Sequence, residues 1–266
     1  MLLGKLLLFP SYSQSTPYNI GEELEYNIYF KYGIVMAKAG SAAHKITASS
    51  FQGQPTIKSE LSFRTSSTFD KIYKIRDTLQ SHALMNANGF KPIYHKKYLH
   101  EGKTHYIEDL FFRQFSPAYS EVRSVRQTAE RVKFDTILFS EGPGYDIVNI
   151  FFFVRLLDYS NPVPGQTFSI VNFMGKDVVR LKIRYQGQTI LRKSETEKFK
   201  TLKFNIDIID KAFEESKDAM EVWISDDDNR LPVKMKAKLK IGAAEAELSG
   251  YANLKHPFTS RIIIRE

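Results

Sequence analysis

Residues 231–241 alternate almost without a break: Leu231, Val233, Met235, Ala237, Leu239 and Ile241 share one parity, and Lys234, Lys236, Lys238 and Lys240 the other. A helix would scatter those apolar side chains around its axis, whereas a strand sets them all on one face. The chain is therefore committed to a sheet with one buried side. Gly242-Ala243 follows, and Gly at the first loop position suits a two-residue type II′ hairpin. That turn predicts antiparallel strands over Leu231 to Ile241 and Ala244 to Tyr251. Lys240 would then face Glu245, Lys238 would face Glu247, and the lysine row would be an ion-paired, solvated face.

The same period recurs along the chain. Leu24, Tyr26, Ile28 and Phe30 alternate with Glu23, Glu25, Asn27 and Lys31 until Gly33. Ile57 to Phe63, Ile75 to Met85, Phe90 to Leu99, Thr104 to Phe112, Tyr119 to Gln127 and Arg131 to Phe139 follow. Phe168 to Met174, Val178 to Tyr185 and Leu202 to Ile209 continue the series. Twenty Phe and fourteen Tyr against a single Trp suit pleated surfaces, where flat rings pack across neighbouring strands. The expected fold is mainly all-β, a curved antiparallel sheet or a half-open barrel or sandwich. No repeat or linker divides it, so residues 14–266 are expected to form a single β domain.

One segment departs from the period. Asp146 to Asp158 reads DIVNIFFFVRLLD, apolar almost all round, with Pro143-Gly144 before it and Pro162 after. Asp146 suits an N-cap, and the length suits a short helix at about 146–158. A helix with no polar face must be covered on most sides, which places it in the concavity of the sheet.

The absence of cysteine excludes disulfides, thiolate catalysis and cysteine-ligated metals. The net charge of +8 is spread along the chain and matched locally by acids, so no nucleic-acid partner is expected. Residues 1–13 open with MLLGKLLLF, and Ser11 and Ser13 fit a signal-peptidase site before Gln14. Export to the periplasm or cell envelope is the expectation, and no segment is long and apolar enough for a transmembrane helix.

The sequence holds little that points to chemistry. The six histidines form no HxH or HExxH pair, although His95, His100 and His105 lie around one hairpin that could bring two together. Asp226-Asp227-Asp228-Asn229 lacks the spacing of a calcium loop and reads as a turn. Glu141 to Gly144 lacks the Lys-Ser/Thr of a phosphate loop, and no GxSxG is present. Neither a catalytic residue, a metal site nor a cofactor is assigned, and an enzyme is the minority reading.

Several segments together carry a resemblance: Gly21 to Tyr26, Gly33-Ile34-Val35 with Ala39-Gly40, Phe134-Asp135, the helix with Arg155, and Pro164-Gly165. The ending, Val222 to Asp227 and Asn229 to Val233 through Gly242 and Leu248, is the most specific part. The chain resembles the domain of unknown function 3108 family of exported bacterial proteins from about Gly21 to Tyr251. The resemblance implies export and a curved antiparallel architecture, with no activity and no site residues to carry over.

The function these readings converge on is binding. A hydrophobic or amphipathic envelope ligand, lipid-like or otherwise apolar, or a partner protein of the envelope, would be held by Phe151, Phe152, Phe153 and Leu157. The alternatives are an assembly scaffold using Ile262-Ile263-Ile264 as a free strand edge, or an envelope hydrolase with convergent carboxylates or a Ser–His pair.

Overall fold

The computed structural model describes residues 16–86, 89–157, 163–209, 216–239 and 241–264. The expected signal peptide at residues 1–13 lies outside them. The first half comprises β1 (Glu23–Tyr32), β2 (Val35–Phe51), β3 (Gln54–Thr65), the one-turn helix α1 (Ser67–Asp70), β4 (Arg76–Asn86), β5 (Gly89–Glu101), β6 (Thr104–Phe115), β7 (Tyr119–Gln127) and β8 (Val132–Glu141). The second comprises β9 (Gly144–Tyr145), α2 (Ile147–Leu156), β10 (Thr167–Met174), β11 (Asp177–Arg192), β12 (Glu197–Ile209), β13 (Ser216–Ser225), β14 (Pro232–Lys238), β15 (Ala243–Ala252) and β16 (Arg261–Ile263).

These strands form one sheet. β8 back to β1 is an antiparallel meander, β15 pairs with the outer edge of β1, and β14 to β10 complete the order, with β9 running parallel to β10. Curvature brings the two ends together. Ser124 Oγ on β7 donates to the Gly175 carbonyl in the β10–β11 turn at 2.6 Å, and Gly175 N donates to Glu108 Oε1 on β6 at 3.0 Å. Leu110, Phe112 and Val122 pack against Val171 and Phe173 across the same seam. The result is the mainly all-β, half-open barrel with one short apolar helix that the periodicity predicts, close to closure.

β2 is the strand that alternation does not reveal. Its middle, Ala37 to Ala43, is almost all Ala, Gly and Ser, apart from Lys38, and carries no apolar stripe. Small residues are needed there, since a Cβ at Gly40 would stand 2.1 Å from the Arg64 carbonyl on β3. Pairing with β1 and β3 on both sides makes the strand, a tertiary effect that overrides local propensity.

The β14–β15 hairpin forms in a different register from the expected one. Lys236 stands opposite Glu245 and Lys234 opposite Glu247, and the loop runs 239–242 with Leu239 N donating to the Gly242 carbonyl at 3.1 Å. Lys240 lies outside the described residues. Because the slip is even, side chains keep their faces, and lysines still oppose glutamates. Two contacts set this register. Lys234 Nζ reaches Glu245 and Glu247 at 2.7 and 2.8 Å. Gly242 crosses the end of β1 with φ +75°, where a Cβ would lie 2.2 Å from the Lys31 carbonyl. Ile262 and Ile263, read as a free edge, instead pair with Lys198 and Glu197 on β12.

Candidate functional site

The helix α2 is held inside the barrel by a buried polar cluster at each end. At the first, Asp146 Oδ1 accepts from Val148 N at 3.0 Å and Asn149 N at 2.9 Å, an N-cap. The same carboxylate accepts Ser81 Oγ from β4 at 2.6 Å and meets His95 Nδ1 from β5 at 3.2 Å. Asn149 Nδ2 bonds the other oxygen. Burial pushes the Asp146 carboxyl up, but His95, Ser81 and the Asn149 amide outweigh it and hold the group below its ordinary value.

At the other end Arg155 is fully buried and spends its guanidinium on several acceptors. Nη1 and Nη2 bind the two Glu22 oxygens at 2.6 and 3.0 Å, Nε and Nη2 reach the Asn229 carbonyl, and Nη2 also reaches that of Pro17. The helix is thereby tied to the start of β1 and to the β13–β14 turn.

Between these anchors the helix packs closely on one side. Phe152 meets Tyr18, His44 and Phe90, with ring centroids at 4.9, 6.2 and 5.5 Å, and Phe153 meets Tyr145 at 5.0 Å. The opposite face is not filled. Ile147, Ile150, Phe151 and Val154, spaced i, i+3, i+4 and i+7, line a cavity of about 190 Å³. Its far wall comes from Leu181 on β11, Ile208 on β12, Met220 on β13 and Met235 on β14. Ile147 and Met174 are exposed at its mouth. Two polar side chains reach it: Arg155, already satisfied, and Asn172, 5% exposed, whose Oδ1 has no hydrogen-bond partner among the described residues.

Of the four residues expected to bind a ligand, Phe151 lines this groove. Phe152, Phe153 and Leu157 turn away from it into the closed core. Sequence reading missed the far wall and Asn172. The spacing of Ile147, Ile150, Phe151 and Val154 was legible, but an all-apolar helix hides which face is left open.

Ser81, His95 and Asp146 have the composition of a hydrolytic triad but not its relay. Ser81 Oγ and Asp146 Oδ1 both approach the same ring nitrogen, Nδ1, at 2.8 and 3.2 Å, and Ser81 donates to the carboxylate. A relay needs serine and carboxylate on opposite ring nitrogens, with the hydroxyl facing a cleft. All three are buried, so this cluster anchors the helix. The hairpin does bring His100 and His105 together, with ring centroids 3.8 Å apart, while His95 points elsewhere. Among the described residues no group of three or more metal-ligating side chains converges. The acidic turn is structural: Asp227 accepts from Ser225 Oγ, Asn229 N, Arg230 N and Ser260 N.

The fold and groove define a class: β-barrel-like proteins built around an internal helix. Within it, the chain belongs to a family of proteins of unknown function, DUF3108, whose model matches residues 25–249. Among solved structures it is similar to a beta-barrel-like protein of domain of unknown function DUF1849 from Brucella abortus. That likeness has a TM-score of 0.54 at 9% identity, over 90% of this chain and 100% of the other. The likeness shows the fold alone. No curated protein matches the chain. No helix among the described residues is long and apolar enough to cross a membrane.

Proposed function

We propose that this chain is a non-enzymatic, exported protein of the periplasm or cell envelope that holds a hydrophobic or amphipathic ligand in the groove beside α2. The carrying observation is an unfilled, almost wholly apolar cavity beside the buried helix, with one unsatisfied carboxamide oxygen in its wall. Protein interiors close such voids because each missing contact costs stability. At about 190 Å³ the space exceeds the roughly 150 Å³ engineered cavity that takes up benzene. It therefore takes one end of a ligand, a ring or a short stretch of acyl chain, with the remainder passing out through the mouth at Ile147 and Met174 and a donor group meeting Asn172 Oδ1. The N-terminal leader pattern and the family resemblance support export.

Titration with N-phenyl-1-naphthylamine tests the reading. A saturable fluorescence rise, reversed by a long-chain fatty acid, is expected of the full chain. Filling the groove with Leu181→Trp and Met220→Trp should abolish the signal while Tm holds or rises, since the added bulk enters empty space. An unsaturable signal, or one the filled variant retains, overturns the reading. Phe152→Asp would not serve, because a carboxylate between Tyr18, His44 and Phe90 would break the core.

A further inference from the structure

Two neighbouring hairpin tips are the most exposed apolar part of the barrel. Tyr32, Ile34, Val35 and Met36 at the β1–β2 tip are 63, 101, 62 and 45% exposed, and Leu239 and Ile241 beside them are 47 and 66% exposed. They are one patch, because Lys31 pairs with Met36 on one side and with Ala243 on the other, and Gly242 lies against the Lys31 carbonyl. A soluble turn is ordinarily polar, and exposed branched aliphatics at adjacent tips mark an interaction surface.

The two chain segments that build the tips carry charge of one sign. No Asp or Glu occurs from Tyr26 to Ser59, nor from Asn229 to Ala244. Lys31 and Lys38 make no ion pair among the described residues. The β14–β15 register has a consequence here. Glu245 and Glu247 serve Lys234, Lys236 reaches Glu221 at 3.7 Å, and Lys238 binds the Lys217 carbonyl at 3.2 Å. After the Asn205 amide, Lys238 also helps hold the nearby Asp218 carboxyl below its ordinary value without closing an ion pair. The lysines nearest the tip thus lie beyond the last glutamate. Apolar tips flanked by Lys31, Lys38 and Lys238, none of them in an ion pair among the described residues, complement a surface that is apolar within and anionic at its face.

We infer that the β1–β2 and β14–β15 tips dock the protein on an anionic lipid bilayer, Ile34 and Ile241 entering the headgroup boundary and Lys38 and Lys238 meeting lipid phosphates. The arrangement follows interfacial anchoring, in which apolar burial and attraction to anionic lipid add. It goes beyond ligand binding and stands apart from what the groove holds. Strand order places the β10–β11 turn and the end of β12, with the groove residues Met174 and Ile208, at the same end of the sheet. Docking would therefore bring the groove near the membrane.

Co-sedimentation of the full chain with phosphatidylglycerol–phosphatidylcholine vesicles and with pure phosphatidylcholine vesicles tests this. Binding to the anionic vesicles alone, weakened by high salt, is expected. Lys38→Glu with Lys238→Glu should reduce it by at least roughly tenfold, each lysine being worth about fivefold. Ile34→Asp with Ile241→Asp should bring it to background, with the far-ultraviolet spectrum and naphthylamine titration unchanged. The groove-filled Leu181→Trp, Met220→Trp chain should still bind vesicles, which separates this inference from the proposed function. Equal binding to both vesicle types, no binding, or full binding by the tip variants overturns it. So does a tip-dependent dimer in sedimentation equilibrium without vesicle binding.

Discussion

Arg155→Met is expected to cost about 3–5 kcal/mol, the range for removing one partner of a buried ion pair. For a chain of this size that lowers Tm on the order of 10 °C. The reason lies less in the arginine than in what it leaves behind. Glu22 is fully buried, and both of its oxygens are held by the Arg155 guanidinium. Without the cation, the carboxylate must stay charged in a dry site or take up a proton. The carbonyls of Asn229 and Pro17 lose donors as well. The double variant Glu22→Leu, Arg155→Met removes both charges and should recover much of the loss, because an apolar pair of similar volume avoids the orphaned ion. Denaturant unfolding of the three variants measures this. A double variant less stable than Arg155→Met alone would show that the pair is not the coupling unit.

Acid is expected to begin loosening the barrel above the range where carboxylates titrate. His44 is buried beneath Phe152, its Nε2 lies 2.6 Å from Ser59 Oγ, and its Nδ1 has no hydrogen-bond partner. Burial first, then the Arg155 charge, press its pKa down from 6.5 to about 3. In the unfolded chain the same ring takes its proton near its ordinary value. Between those limits the unfolded state binds one more proton, so falling pH favours unfolding. The contribution is about 1.4 kcal/mol per pH unit, approaching 5 kcal/mol by pH 3. Stability is full above pH 6.5 and is lost as pH falls towards 3. His44→Gln keeps a polar group facing Ser59 but cannot titrate, so it should remove about one proton's worth of slope from stability against pH. An unchanged slope between pH 6.5 and 4 would mean His44 is protonated in the folded barrel.

The parts legible in sequence are those where one local pattern decides. Alternation found Tyr119 to Gln127 with the bounds the strand has, and Asp146 before an apolar run marked the helix start. β2 was hidden because close approach at Gly40 requires small residues, which erase the apolar stripe. The hairpin register was hidden because Lys31 on β1 and the Lys234 ion pairs set it, and none of these belongs to the turn. The site was half legible. Phe151 lies in the helix's own sequence, but Glu22, which fixes the helix, is 133 residues from Arg155, and the groove's far wall comes from four other strands. An all-apolar helix also gives no sign of which face is covered, so three of its four expected ligand contacts are core.

Native mass spectrometry of the protein isolated from cells that express it, followed by solvent extraction, shows directly whether the groove beside α2 is occupied. We expect a chain beginning at or near Gln14 that carries one small apolar-tailed molecule. That molecule should be released by organic solvent and be absent from the Leu181→Trp, Met220→Trp variant. A bare chain that takes up no added fatty acid at saturating concentration, or an adduct the filled variant retains, would contradict it.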